Sequence, residues 1–352
     1  MTRPVAGVGA VAVFACALLA VSGCQAGISP ASGAAGEPGT VARGGSAVAS
    51  PAQPRAQYID LADRIAARKT AVWVEVDLVK AWQVGGQRYG DAVSVAVKLA
   101  SRPGVVGIKI ADELGYHDGL DTPERARAFL AQASRDIRSR LPDTKILIDM
   151  VVPQFGCLAW ASEQAARLSC ANSAAETSPA ATIDAVDTYL AAKTFDMLDL
   201  SAGLLDQTTY RAWGTTRDQA MLAVWKEAVR RQWGALVTLQ ARKAMAHPGS
   251  YEGTAAQAEA DLHTFVDIPL ANGAKAVDIW AWRQMYEGSM YRLYDPGLRT
   301  NPLIAGLARR RAAGAHLFTH MSPSSVEVSQ KTDVSAAAAI FGSIFVAAGA
   351  GS

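Results

Sequence analysis

The sequence predicts an α/β fold, a parallel (β/α)8 barrel of the TIM type, irregular or incomplete in its strand count. Three observations lead there. From Tyr58 onward, short apolar runs rich in Val, Ile and Leu alternate with longer amphipathic stretches, the pattern of βαβ units around a parallel sheet. Acidic residues recur where those runs end. The chain has 352 residues, room for one barrel of roughly 250 residues with a leader and a tether.

The spacing predicts strands over 71–79, 105–111, 145–151, 195–200, 235–240 and 276–282, and a less regular one over 316–319. Helices are predicted over 91–100, 123–140, 182–193, 217–233, 254–271 and 302–312. Thr122 is placed as an N-cap with Pro123 in the first turn, and Asn272-Gly273 stops the fifth helix. Six regular strands and one irregular strand fall short of the eight a closed barrel needs. The apolar stretch 335–350 is dominated by Ala and Gly and is shorter than the roughly 20 residues of a membrane span, so it reads as a packed terminal helix. The run Arg309-Arg310-Arg311 reads as the solvated end of a helix, where cations suit the dipole.

The first residues read as a leader. Arg3 is followed by an apolar stretch over 5–21 and then by Val21-Ser22-Gly23-Cys24. This resembles the lipobox of bacterial lipoproteins; the alternative is an ordinary secretory leader with a chance cysteine. The resemblance implies a signal peptide over 1–23 and lipidation at Cys24; composition and pattern add a disordered tether over 24–56 and a barrel domain over 57–352. It also implies a lipid-anchored location at the extracytoplasmic face of the cell membrane. The tether is Gly, Ala, Ser and Pro with scarcely any large apolar residue, too little to offset chain entropy.

Beyond Cys16 and Cys24, only Cys157 and Cys170 remain. Export to an oxidising compartment favours a disulfide between them over two free thiols. No further Cys or paired His lies near enough in sequence to complete a zinc site, so neither metal nor cofactor is expected. A formal net charge of +2 gives no basis for nucleic-acid binding.

The C-terminal strand ends of a parallel barrel carry its chemistry. Asp112 and Glu113 follow one predicted strand directly. Asp149 and Asp199 end others, Glu75 and Asp77 lie late in the first, Gln240 and Arg242 close another, and Trp282 and Arg283 close the last regular one. Any one such acid can cap a helix or pair with Lys or Arg. Several on one rim, with Trp280, Trp282, Tyr286 and Tyr291 near, point to a site. Strand alternation puts Glu75 and Asp77 on one face, and Trp280 and Trp282 on a common face.

The run from Val106 to Glu113 is similar to the strand of retaining glycoside-hydrolase barrels that ends in an Asn-Glu or Asp-Glu pair, where the Glu is the general acid/base. The runs 196–200, 237–240 and 273–282 are similar, in order, to later strands of those barrels, and the resemblance spans roughly 105–286. It implies a hydrolase acting on a cell-surface or environmental glycan, with Glu113 as acid and Asp149 or Asp199 as base or nucleophile. Trp280 or Trp282 would stack on the sugar and Arg283 would hold a hydroxyl or carboxylate, with Glu75, Asp112 and Gln240 also facing substrate. The chain departs from the pattern at Leu114, where the family has Pro, and at Gln240, where a glutamate nucleophile is expected. Too little sequence precedes 105–113 to supply three earlier strands.

Two other readings stand beside it. Glu75-Val76-Asp77 is similar to the Glu-x-Asp metal pair of glycerophosphodiester phosphodiesterases, although no His precedes His117, and His316 and His320 read as packing or surface residues. The missing nucleophile favours a barrel that binds a glycan or another small ligand without turning it over.

Overall fold

The computed structural model describes residues 52–158, 164–234, 236–239, 245–286 and 288–348. The expected signal peptide and most of the expected tether, Cys24 included, lie outside them, as does Gln240. Among the described residues no helix is long and apolar enough to cross a membrane.

Eight parallel strands close a barrel: β1 Ala71–Glu75, β2 Val105–Lys109, β3 Lys145–Val151, β4 Met197–Ser201, β5 Leu236–Leu239, β6 Ala276–Ile279, β7 Leu317–Met321 and β8 Ser343–Ala347. Each pairs with its sequence neighbours, and β8 returns to β1 in the register Ala71↔Ser343 to Glu75↔Ala347. β8 was not expected. The stretch read as a terminal helix is instead the helix Gln330–Ile340 followed by a buried strand. The helix breaks at Phe341, whose backbone is extended, and Ser343-Ile344-Phe345-Val346 then has the β-branched and aromatic character of a strand. Runs of Ala on the helical side hide that boundary in the sequence.

Two other boundaries shift. β1 stops at Glu75, and two helices, Val79–Val84 and Gly86–Ala100, meet at Gly85, whose φ of 72° is available mainly to glycine. β6 stops at Ile279, and Arg283–Tyr286 joins Ser289–Arg292 and His247–Pro248 in a small antiparallel sheet. Helix starts follow their caps. The Thr122 hydroxyl accepts from Arg125 N at 3.3 Å, Thr216 and Thr254 form capping boxes with Gln219 and Gln257, and Asn301 caps Pro302–Ala312. Each cap contributes on the order of 1 kcal/mol. The triple arginine ends a helix as expected, yet Arg310 is more than solvated: it reaches Asp267 at 2.6 Å and Glu259 at 3.2 Å.

Cys157, in a turn after β3, is bonded to Cys170 on the helix Gln164–Thr177, with Cα atoms 5.8 Å apart. The outer core lies between the strands and the surrounding helices, with Ile65, Val74, Ile108, Phe129, Tyr189, Trp225 and Leu307 fully buried in it.

The barrel interior has two layers of opposite character, because alternate strand residues face the same side. Trp73, Leu147, Ala276, Phe318 and Phe345, with Met197 against them, form an apolar layer toward the N-terminal end. Two residues further along the strands come Glu75, Asp149, Asp278, His320 and Asp199, and with them Lys109, two after Gly107. Gly107 is required by this stacking. A Cβ there would lie 2.3 Å from Cζ3 of Trp73 and 2.6 Å from the Lys145 carbonyl.

Candidate active site

Lys109 is the hub of the polar layer. Its ammonium lies 3.0 Å from Glu75 Oε1, 3.1 Å from Asp149 Oδ2 and 3.2 Å from Asp112 Oδ1, and its side chain is 1% exposed. Of the three N–H donors of an ammonium, one goes to Asp112 and one to Glu75, while Asp149 lies within ion-pair distance. Burial opposes the charge, but Glu75, Asp149 and Asp112 outweigh it and hold the Lys109 pKa well above the ordinary lysine value. Lys109 is therefore a fixed cation rather than a nucleophilic amine.

His320 continues the network on the far side of Glu75. Its Nδ1 lies 2.7 Å from Glu75 Oε2 and its Nε2 lies 2.6 Å from Asp278 Oδ2. Burial disfavours the charged ring, yet Asp278 and Glu75 raise its pKa to about 10. The ring is thus an imidazolium donating through both nitrogens. Burial pushes the Glu75 carboxyl up, but His320 and Lys109 override it and hold it well below the usual carboxylate range. The result is a continuous chain from Asp112 through Lys109, Glu75 and His320 to Asp278.

Asp149 and Asp199 are wholly buried in the same layer. Burial raises both well above the ordinary aspartate value. Lys109 opposes the shift at each; Asp112 and Glu113 add to it at Asp149, and Asp278 and Asp149 add to it at Asp199. Like charges packed in a buried layer oppose one another's ionisation, so both carboxyls hold a proton to higher pH than an exposed aspartate does.

The layer opens toward the C-terminal ends of β1 and β2. Asp77 lies two residues past Glu75, half-buried, with Oδ1 accepting from Val79 N at 3.1 Å. Burial, then the neighbouring Asp112, raises its pKa to about 6. Asp112 is the accessible member of the group, its side chain 44% exposed while its Oδ1 is held by Lys109. Asp118 accepts from the backbone N–H groups of Gly115 and Leu120 beside them. Glu113 occupies a left-handed turn, φ 53°, directly after Asp112, and is half-buried. Its charge raises the pKa of Asp149 and of Tyr116.

The remaining residues singled out from sequence lie elsewhere. Trp280 is buried in a ring cluster with Tyr286 and Tyr291, at 5.5 and 6.1 Å between centroids. Trp282 donates from Nε1 to Asp333 Oδ1 at 3.1 Å, deep in the domain. Arg283 is taken up by Glu327 at 2.6 Å and by the carbonyls of Ser324 and Val326. Sequence reasoning passed over Lys109 and Asp278 and placed His320 among packing or surface residues; His320 is instead buried between two carboxylates. The overlooked signal is a charged residue inside an apolar parallel strand, as in Ile108-Lys109-Ile110, where both faces are covered and a charge needs a polar partner.

No family model matches the chain, and no curated protein does. Solved structures do. They include a putative phosphonomutase from Burkholderia cenocepacia (TM-score 0.36, 12% identity, 82% of this chain and 92% of that chain). A 2,3-dimethylmalate lyase of the PEP mutase/isocitrate lyase superfamily also matches (TM-score 0.36, 13% identity, 82% and 79%). So does the carboxyl transferase domain of Rhizobium etli pyruvate carboxylase (TM-score 0.41, 14% identity, 84% and 44%). The chain spans only 26% of a longer pyruvate carboxylase chain from the same organism.

None of these three is a glycosidase or a phosphodiesterase, and the hydrolase function expected from the sequence is not carried further. The site geometry departs from those expectations as well. Asp149 and Asp199, cast as base or nucleophile on a glycan, are sealed in the polar layer, and Arg283 is spent on Glu327. Glu75, cast as a metal ligand beside Asp77, is turned to Lys109 and His320. Among the described residues no group of three or more His, Cys, Asp or Glu side chains is arranged to hold a metal ion.

Proposed function

We propose that the domain is an enzyme of general acid–base chemistry working at the mouth of β1 and β2. Asp77 carries the proton, Asp112 accepts one, and Lys109 is the positioning cation beneath them. The observation that carries this reading is one buried ammonium in contact with three carboxyl groups, one of which, Asp112, reaches solvent. That geometry gives Asp112 a fixed direction, and burial with the neighbouring Asp112 raises the pKa of Asp77 to about 6. A carboxyl with a raised pKa beside a second carboxyl fixed by a cation is suited to acid–base catalysis. A purely structural role accounts less well for the layer, because buried ionic networks are commonly no better for stability than apolar packing, whereas perturbed acids gather at functional sites. The acids Asp77, Asp112, Glu113 and Asp118 line one rim, so a neutral or cationic small molecule suits it and an anion does not.

The test is a set of neutral and cationic carbonyl compounds and amino alcohols incubated with the protein in D2O and followed by 1H NMR. Conversion or solvent-deuterium exchange seen with the native protein and lost in Asp112→Asn is the expected result. Equal behaviour of the two proteins counts against the reading.

We further propose that the chain is held at the extracytoplasmic face of a membrane by a lipid on Cys24. The run Val21-Ser22-Gly23-Cys24 after an apolar stretch supports this, as does the Cys157–Cys170 bond, which suits an oxidising compartment. Cys24→Ala should release the protein from the membrane fraction; unchanged fractionation overturns the proposal.

A further inference from the structure

A second cluster of charge lies apart from the residues of the mouth. Arg64 sits in the last turn of the helix Ala56–Ala66, and Ala67 and Arg68 follow directly. Together with Lys331 and Val334 of the helix Gln330–Ile340 they line an open cleft of about 190 Å³. No acid is among the lining residues. Arg64 pairs with Asp60 at 2.9 Å, an exposed contact of the kind that holds weakly. No ion pair of Arg68 or Lys331 occurs among the described residues, and both side chains are exposed. Three cations therefore surround a floor of Ala67 and the buried Val334. A concave apolar wall focuses the field of the charges around it, and two guanidinium forks with an ammonium match the oxygens of a phosphate group. The cleft is smaller than the roughly 300 Å³ or more of a typical small-molecule site, so it suits a headgroup rather than a large ligand.

We propose that this cleft binds a phosphate ester, the phosphate held by Arg64, Arg68 and Lys331 and a short apolar stem lying over Ala67 and Val334. The ester can come from a free metabolite or from a phospholipid headgroup, and the experiment separates them. Calorimetric titration of the full chain with glycerol 3-phosphate is compared with sedimentation on phosphatidylglycerol and on phosphatidylcholine vesicles. Each is repeated for the double variant Arg68→Gln/Lys331→Gln. Both residues are exposed, so an unchanged thermal melt should show that the variant folds. The proposal expects binding by the native protein in at least one arm, weakened at least tenfold in the variant and weakened by added salt. Saturable glycerol 3-phosphate binding without vesicle dependence assigns a free ester. Phosphatidylglycerol-selective sedimentation lost in the variant assigns a headgroup, and comparison with phosphatidylcholine removes any attachment common to both vesicles. Absence of binding in every arm, or equal binding by the variant, overturns the proposal.

Discussion

The imidazole Nδ1 of His320 lies 2.7 Å from the Glu75 carboxylate, joining β7 to β1 between residues 245 apart in the chain. With Asp278 on the other nitrogen, the ring bridges two acids inside the barrel, and one of them, Glu75, also receives the Lys109 ammonium. The barrel's C-terminal layer is therefore held by charge as its N-terminal layer is held by aromatic packing.

Removing the bridge should be costly. His320→Gln leaves Glu75 and Asp278 without their shared cation, and breaking a buried pair in this way costs roughly 3–5 kcal/mol. The pH dependence has a definite sign. The folded-state pKa of about 10 lies above the unfolded value of about 6.5. The His320 contribution is thus complete below about pH 6.5 and is lost as the pH rises through 10. Urea unfolding across that range should show a decline in stability for the native protein that is missing from His320→Gln. An identical decline in both would assign it to other groups.

Asp199→Asn should act in the opposite direction. The Asp199 pKa is raised by burial and by Asp278 and Asp149, so the folded state holds the proton to higher pH than the unfolded state does. Its contribution is present below about pH 4 and is lost as the pH rises toward the folded value. A neutral amide of the same shape avoids that loss. Thermal melts at pH 8 should place the variant level with the native protein or a few degrees above it, about 2–4 °C for each kcal/mol. A large fall would show that ionised Asp199 is needed for the fold.

Gly107→Ala tests the stacking of the two interior layers. The added methyl would meet Trp73 at 2.3 Å and the Lys145 carbonyl at 2.6 Å, and overpacking of this kind costs roughly 1–3 kcal/mol or more. Trp73→Leu in the same chain clears the ring but leaves the carbonyl contact. Chemical denaturation of the two single variants and the double variant should therefore show partial rescue, with a coupling energy of the favourable sign. Strict additivity would mean that Trp73 does not fill the space above Gly107.

The Cys157–Cys170 bond closes a loop with a sequence separation of 13. Cys157→Ser with Cys170→Ser should lower stability by about 3 kcal/mol if loop-closure entropy dominates. Guanidinium unfolding of the native and doubly substituted proteins measures the difference, and no change would mean that the helix Gln164–Thr177 adds nothing to the cooperative unit.

Seven of the eight strands were legible because Val, Ile and Leu runs such as Lys145–Val151 have a length and composition that a helix rarely shows. β8 was not, since Ala-rich sequence on its N-terminal side blends into it and only Gly342 marks the break at Phe341. The acids at strand ends were legible one by one, and Asp112, Asp149 and Glu75 do gather around one cation. That cation could not be assigned from a motif. Lys109 and His320 make sense only once β1, β2, β3, β6 and β7 are placed around a common axis, and sequence spacing alone does not bring together residues 245 apart. Arg283 shows the reverse case: a strand-end position suggested a substrate contact, while Glu327, from a loop beyond the reach of local pattern, occupies it.

If Asp77 and Asp112 form a working carboxyl pair over Lys109, the carboxyl titration of Asp77 followed by 13C NMR must report it. The expected midpoint in the native protein is about 6. In Asp112→Asn the midpoint should be distinctly lower but still above the ordinary value of about 3.9, because the like charge is gone while burial remains. A midpoint in the ordinary range in the native protein, or one that does not move when Asp112 is neutralised, would contradict it.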